Sequence, residues 1–105
     1  MINTKVYICS EMCPVGCGEV IFLQGRINRV ICCFCTGCST AYNHPYKTQF
    51  EEGLNELISL KDLSPEGVIF PNIDAITEAG FDRWIIRSIK VEEFGYTEDE
   101  LNNFA

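Results

Sequence analysis

The apolar residues of the first half of the chain fall into short β-prone runs separated by turn residues. Such runs occupy residues 19–24 and 29–34, and the glycine-led segment 25–28 between them predicts a β-hairpin. A similar run at residues 4–8 predicts a third strand beside that hairpin. The first half is therefore expected to be a small antiparallel sheet.

The second half begins with a helical pattern. Thr48 and Glu51 have the spacing of a capping box, and apolar residues follow at helical intervals to about residue 60. These apolar residues are Phe50, Leu54, Leu57 and Ile58. The pattern predicts an amphipathic helix that starts at Thr48.

Shorter elements are predicted after residue 60. Residues 64–67 form a turn signal before a strand at 68–70, and Asn72 is placed to cap a helix that ends at Gly80. Residues 84–91 fit either a helical face or a strand, and their β-branched density favours a strand.

A second capping box, Thr97 with Glu100, opens a terminal helix that has Leu101 and Phe104 on one side. Together the elements predict an α+β fold for one domain, residues 1–105, made of a sheet-forming part, 1–46, and an acidic α+β extension, 47–105.

Composition agrees with one folded domain. The 105 residues are 47% hydrophobic, which is enough apolar side chain for a core. No run approaches the roughly 18 apolar residues that span a bilayer, and the N-terminus lacks the layout of a secretion signal. We therefore expect a soluble, cytoplasmic protein with no membrane partner.

Charge is divided unequally along the chain. The net charge is −7, but residues 1–47 carry four basic residues against two acidic ones, and residues 48–105 carry four against thirteen. The last fifteen residues contain no Lys or Arg. An acidic surface formed by these residues attracts basic partners and repels phosphate backbones. The acidic residues expected to contact a partner are Glu92, Glu93, Glu98, Asp99 and Glu100.

All seven cysteines lie in the first 38 residues. An odd number of cysteines is a poor disulfide framework. A cluster of cysteines in a cytoplasmic protein more often binds metal or does redox work. Cys13 and Cys17 form one closely spaced pair, Cys35 and Cys38 form a second, and seventeen residues separate the pairs. This spacing indicates a four-thiolate zinc site, with the predicted hairpin bringing the second pair back beside the first.

At residues 13–38 the chain resembles the zinc-ribbon family, in which two cysteine knuckles flank a β-hairpin. The resemblance implies that Cys13, Cys17, Cys35 and Cys38 bind Zn²⁺. The first knuckle has one residue more than the usual pattern, so Cys9 competes with Cys13 and Cys17 as a ligand. A second pair that is shifted to include Cys32 or Cys33 is a further alternative. Iron is an alternative to zinc as the bound metal.

Of the three cysteines outside this set, Cys9 ends the run at residues 4–8, and Cys32 and Cys33 are neighbours in a predicted strand. The two neighbours should therefore point to opposite faces, one into the core and the other nearer the surface.

Enzymatic functions have little support in the sequence. Four thiolates leave a zinc ion no open position for water, which disfavours hydrolysis. The single histidine, His44, cannot supply a nucleophile–base set, although it is an alternative metal ligand. The Cys35–Cys38 spacing also fits a redox motif, but it follows a hairpin where a βαβ unit would be needed. We expect a protein that is not an enzyme.

Two functions fit these features. The first is a zinc-stabilised protein that binds and inhibits a basic protein partner. In its small size, acidity and lack of a catalytic set the chain looks like the bacterial immunity proteins that neutralise nuclease toxins, including contact-dependent-inhibition toxins. That likeness is one of overall character and implies no particular binding residues.

The second function is a nucleic-acid- or transcription-associated zinc ribbon. Arg26 and Arg29 flank the predicted hairpin turn, and aromatic residues are available for stacking on bases. These residues are Phe22, Phe34, Tyr42 and Tyr46. The net charge makes nucleic acid the weaker expectation.

Overall fold

The computed structural model describes residues 5–11, 18–35, 37, 40–42 and 65–102. Within them the chain forms a mixed fold of strands and short helices, as predicted. The strands are β1 (Lys5–Ser10), β2 (Val20–Gly25), β3 (Ile31–Cys35), β4 (Thr40–Tyr42), β5 (Val68–Ile69) and β6 (Arg87–Lys90). The helices are α1 (Ile73–Glu78), α2 (Val91–Phe94) and α3 (Glu98–Asn102).

The predicted hairpin is confirmed as the β2–β3 pair. The two strands are antiparallel, with Val20 opposite Cys35 at one end and Gln24 opposite Ile31 at the other. The Gly25 amide donates to the Val30 carbonyl at 2.9 Å and closes the connecting turn. The sequence thus predicted both the strands and the position of the reversal.

All strand pairs in the described part of the chain are antiparallel and belong to one sheet of order β4-β3-β2-β1-β6, with β5 pairing with β2. The predicted third strand of the first half is confirmed as β1. Strands β5 and β6, which come from the acidic half, are hydrogen-bonded to β2 and β1. Strands from both sides of residue 47 therefore share this sheet.

The central strands are buried on both faces of the sheet. One face, which we call the α3 face, packs Ile21, Leu23 and Phe34 with Leu101 of α3. The opposite face, the α1 face, is covered by Ile76 of α1. Its strand residues are Cys9, Val20, Phe22, Ile31, Cys33, Cys35 and Tyr42. The alternation follows from the two-residue period of a β-strand.

Cys32 and Cys33 lie on opposite faces, as predicted, but the expectation that one of them lies nearer the surface is wrong. Cys32 belongs to the α3 face and Cys33 to the α1 face, and both are buried. The reason is that helices and loops cover both faces of β3, so that neither side of the strand faces solvent.

The helix after Pro71 is confirmed. The Asn72 side chain accepts a hydrogen bond from the Ala75 amide at 2.9 Å, and the chain leaves the helix at Gly80 in the left-handed conformation, with φ +82°. The strand predicted between residues 84 and 91 is confirmed over β6, where Val6 pairs with Ile89. The strand is shorter than predicted, because Trp84 ends a 3₁₀ turn and Val91 begins α2.

The second capping box is also confirmed. The Thr97 amide donates to Glu100 at 3.1 Å, and the Glu100 amide donates to the Thr97 hydroxyl at 3.2 Å. Leu101 is fully buried one turn later. The helix predicted from Thr48 to about residue 60, and Phe104 at the end of the terminal helix, lie outside the described residues. No helix in the described ranges is long and apolar enough to cross a membrane.

Candidate metal centre

The predicted second knuckle begins at the last residue of β3. Cys35 is the last residue of the strand, is fully buried, and faces the α1 side of the sheet. Its Sγ donates to the Gly18 carbonyl oxygen at 3.8 Å. The thiol is therefore directed toward the segment that immediately follows the first knuckle.

Gly18 and Gly37 bring the two knuckle segments together. A β-carbon placed on Gly18 would lie 3.8 Å from the Gly37 backbone nitrogen and 3.9 Å from its Cα, which is van der Waals contact. The contact continues the β2–β3 register beyond Val20 and Cys35. Two segments separated by the whole hairpin in sequence are thus neighbours in space.

Of the four predicted ligands, the structure describes Cys35. Cys13, Cys17 and Cys38 lie outside the described residues. Within the described ranges, no three Cys, His, Asp or Glu side chains converge on one point that could hold a metal ion. Cysteine thiolates suit soft metals, and the spacing of Cys35 and Cys38 in the sequence is typical of zinc and iron thiolate sites.

Cys9, Cys32 and Cys33 are the other described cysteines, and none of them or Cys35 is in a disulfide. Burial raises the pKa of the Cys32 thiol to about 12. Burial, a hydrogen bond to Cys9 and the neighbouring Cys9 and Cys32 thiols raise the pKa of Cys33 well above its ordinary value. Cys32 lies on the opposite face from Cys35, so these two cannot bind one ion together.

An ion pair joins the first knuckle segment to the far edge of the sheet. The Arg87 guanidinium contacts the Glu19 carboxylate, and both side chains are partly exposed. Glu19 directly follows Gly18, whereas Arg87 lies in β6 and pairs with Ile8 of β1. Nothing in the local sequence signals this contact, because sheet topology alone brings the two residues together.

The five acidic residues predicted to contact a partner do not form one uniform surface. Glu92, Glu93 and Asp99 are exposed at the first turns of α2 and α3. Glu98 is partly buried, and its Oε2 accepts a hydrogen bond from the Phe70 amide at 2.7 Å. Glu100 is exposed but belongs to the capping box described above. Glu98 and Glu100 thus have structural roles that the sequence revealed only for Glu100.

The residues considered for nucleic-acid binding differ in their exposure to solvent. Arg26 and Arg29 are exposed at the hairpin turn. Phe22, Phe34 and Tyr42 are buried within the sheet, so they offer no face on which a base could stack. Tyr46 lies outside the described residues.

Comparison of the chain with protein-family models, with curated proteins and with solved structures finds no match.

Proposed function

We propose that this chain is a non-enzymatic, metal-stabilised protein that binds and inhibits a basic partner protein. The partner that suits its chemistry best is a nuclease toxin, which would make the chain an immunity protein. The proposal has two parts, a structural zinc site near the sheet and an acidic binding surface at its C-terminal end.

The contact between Gly18 and Gly37 supports the zinc site. Cys17 precedes Gly18 and Cys38 follows Gly37 in the sequence, and consecutive Cα atoms are about 3.8 Å apart. Cys17 and Cys38 are thus the sequence neighbours of two glycines that are in contact, and the Cys35 thiol is directed toward the first of these glycines. We infer that Cys13 completes the set of four.

A four-thiolate site of this kind has a structural role. Zn²⁺ held by four sulfurs has no open coordination position and contributes binding energy to the folded state. The protein's own contribution is the hairpin, which holds the ends of β2 and β3 in register and brings the two segments together. The site would lock the sheet and leave the rest of the surface for recognition.

The exposed carboxylates of α2 and α3 support the proposed acidic binding surface. Glu92, Glu93 and Asp99 extend into solvent from two short helices, in a stretch of fifteen residues without Lys or Arg. A surface of one sign raises the encounter rate with a surface of opposite sign by about 10-fold to 10³-fold. A nuclease must bind phosphates, so its substrate groove is basic and fits such a surface.

The test starts from the protein in its own cells. Native mass spectrometry of the complex purified from them measures the metal content and the mass of any bound partner. The expected result is one zinc ion per chain and a basic protein. The association rate of that partner is then measured for wild type and for the triple variant Glu92→Lys, Glu93→Lys, Asp99→Lys, with an expected decrease of about tenfold or more at low salt.

The matched control is the triple variant Asp74→Lys, Glu78→Lys, Asp82→Lys, which reverses three exposed acidic residues on and after α1. It changes the net charge equally but lies outside the proposed surface, so it should have the smaller effect. Glu98 and Glu100 are left unchanged because their substitution would disturb local structure. Equal effects of the two triple variants would exclude a localised acidic site, and tight binding of the isolated protein to DNA or RNA would favour the zinc-ribbon adaptor instead.

A further inference from the structure

Strand β6 forms one edge of the sheet. Among the strands that the structure describes, β6 pairs with β1 alone, in a register that runs from Lys5 opposite Lys90 to Ile8 opposite Arg87. Three of its four residues are exposed, whereas every residue of β2 and β3 is buried. The backbone amides and carbonyls along such an edge can pair with a further strand.

One hydrogen bond shows which backbone groups of β6 point outward. The Ile86 amide donates to the Ile8 carbonyl at 2.9 Å, so residue 86 directs its backbone groups toward β1. Successive residues of an antiparallel strand direct these groups to alternate sides. Arg87 and Ile89 therefore direct their amides and carbonyls to the outer edge, where they offer donors and acceptors to another strand.

The middle of this edge lacks the usual protection against pairing. Proteins block exposed edges with proline, with bulges or with charged side chains. β6 contains no proline, its register with β1 is continuous over four pairs, and its middle residues are Ser88 and Ile89. The charged residues Arg87 and Lys90 stand at the two ends of the strand, and the Arg87 guanidinium is paired with Glu19. The middle of β6 is thus open to a second strand.

We propose that β6 pairs antiparallel with β6 of a second copy of this chain, so that two sheets join across a two-fold axis at Ser88. In this register the outward groups of Arg87 pair with those of Ile89 in the second copy, and the symmetry repeats the pair. The arrangement uses every outward amide and carbonyl of the strand. A register centred on Arg87 or on Ile89 would use the outward groups of that residue alone.

The side chains of β6 are compatible with self-pairing at this register. Ser88 lies opposite its own copy at the axis, where two hydroxyls can share a hydrogen bond, and Arg87 lies opposite Ile89. A register centred on Arg87 would instead place two guanidinium groups directly opposite each other, which is destabilising. Pairing centred on Ser88 therefore brings no like charges together within the strand.

The charges on either side of β6 favour a second copy as the occupant. Arg83 lies five residues before Ser88 and Glu93 lies five residues after it, and both side chains are exposed. Because an antiparallel neighbour reverses the chain direction, the basic end of one copy meets the acidic end of the other at both ends of the interface. Ile86, which is 49% exposed, falls opposite Lys90 of the second copy, whose aliphatic stem can cover it.

Analytical ultracentrifugation of the chain as purified, without any other protein, tests the proposal. Wild type should show a reversible equilibrium between monomer and dimer as its concentration is varied. Ser88→Lys places two lysines opposite each other at the axis and should raise the dissociation constant of the dimer at least about tenfold. The matched control is Ala79→Lys, which adds the same charge at an exposed residue that follows α1, and it should stay within about twofold of wild type.

A crosslink tests the register separately from the affinity. In the proposed dimer the two copies of residue 88 form a non-hydrogen-bonded pair with Cα atoms about 4.5 Å apart, which is within disulfide range. Ser88→Cys should therefore give a linked dimer under mild oxidation, with the two introduced cysteines joined in peptide mass spectrometry. Lys90→Cys is the control, because its two copies are about 13 Å apart along the strands and should not be joined.

Three results would each overturn the proposal. They are a wild type that stays monomeric at about millimolar concentration, equal weakening of the dimer by Ser88→Lys and Ala79→Lys, and joining at residue 90 as readily as at residue 88. A monomeric wild type would leave the edge of β6 to a strand of another protein. The experiments contain no basic partner and count no metal, so their failure is distinct from failure of the proposed function.

Discussion

Three of the four described cysteines lie on one strand, and their surroundings differ. Cys32, Cys33 and Cys35 follow one another on β3, yet Cys32 packs against the α3 face while Cys33 and Cys35 share the α1 face. Only Cys35 is directed toward Gly18 and the knuckle contact. The side of the strand separates Cys35 from Cys32, whereas position along the strand separates it from Cys33.

Cys32 should make the stability of the protein depend on pH in alkaline solution. Burial raises its pKa from 9.0 to about 12, so the folded state holds the proton where the unfolded state loses it. The stabilisation is complete below pH 9 and is lost as the pH rises from 9 toward 12. Relative to Cys32→Ala, wild type should lose about 1.4 kcal/mol of unfolding free energy between pH 8 and pH 10.

Urea unfolding of both proteins at each pH measures this difference. The exposed groups are present in both proteins, so their titration cancels in the comparison. A difference between the two proteins that stays constant with pH would show that Cys32 is ionised as easily in the folded as in the unfolded state.

Arg29 is a residue under backbone strain. Among the described residues it is the non-glycine residue with positive φ, at +63°, and it sits where the hairpin turn enters β3. A left-handed conformation costs an L-residue roughly 1–2 kcal/mol, and glycine's extra chain entropy costs roughly 0.5–1 kcal/mol. Arg29→Gly should therefore raise the unfolding free energy, by up to about 1.5 kcal/mol.

Ile27→Gly is the control for this prediction, because Ile27 is 67% exposed in the same turn and does not have positive φ. There glycine adds chain entropy without relieving strain, and the unfolding free energy should fall by roughly 0.5–1 kcal/mol. Chemical unfolding of the two variants checks the opposite signs. If both variants are destabilised, the strain at Arg29 is smaller than the entropy of glycine.

At the scale of elements, α3 replaces a missing neighbour strand along the edge of β5. The Asn102 Oδ1 accepts from the Val68 amide at 2.7 Å, and its Nδ2 donates to the Val68 carbonyl at 3.4 Å. Glu98, one helical turn earlier, accepts from the Phe70 amide at 2.7 Å. Two side chains spaced by four residues on the helix thus satisfy backbone groups spaced by two residues on the strand, which protects an exposed sheet edge.

Asn102→Ala should destabilise the protein by roughly 1–3 kcal/mol, because it leaves the partly buried Val68 amide and carbonyl without their partner. Hydrogen exchange followed by NMR should show faster exchange at the Val68 amide, while the Phe70 amide stays protected by Glu98. The control, Asp99→Asn, changes an exposed neighbour on the same helix and should shift stability by less than about 0.5 kcal/mol. Unchanged exchange at Val68 would exclude the side-chain cover.

At the scale of the whole molecule, one sheet joins residues from both halves of the chain. β5 and β6 of the acidic half pair with β2 and β1, and Arg87 of β6 contacts Glu19 beside the first knuckle. A metal bound at the knuckles would therefore stabilise the sheet to which the acidic helices are attached. Metal binding and global unfolding are expected to be coupled.

Removal of the metal should lower the unfolding free energy of wild type by about 3 kcal/mol or more, the value for free metal about a hundredfold above its dissociation constant. Cys35→Ser should be destabilised similarly and should respond little to added chelator, because it has already lost a ligand. Cys32→Ser is the matched control and should keep the full response to chelator. Urea unfolding with and without chelator measures these effects, and an equal response of Cys35→Ser and wild type would remove Cys35 from the ligand set.

The sequence by itself determined the local features of this protein. Turn residues at 25–28, the Asn72 cap and the box formed by Thr97 and Glu100 predicted their elements correctly, because each depends on hydrogen bonds within a few residues. The register of a hairpin is equally local, so the approach of Gly18 to Gly37 could be predicted from the spacing of the cysteine pairs.

Only the tertiary structure decided which cysteines are buried and which acidic residues have structural roles. Burial of both Cys32 and Cys33 and the contact of Glu98 with Phe70 depend on elements that are distant in sequence. A strand pattern shows which residues share a face, but it does not show whether a helix covers that face or what lies across the next strand. For this reason the sequence could suggest where a metal would bind, whereas the roles of the remaining thiols and acids required the sheet.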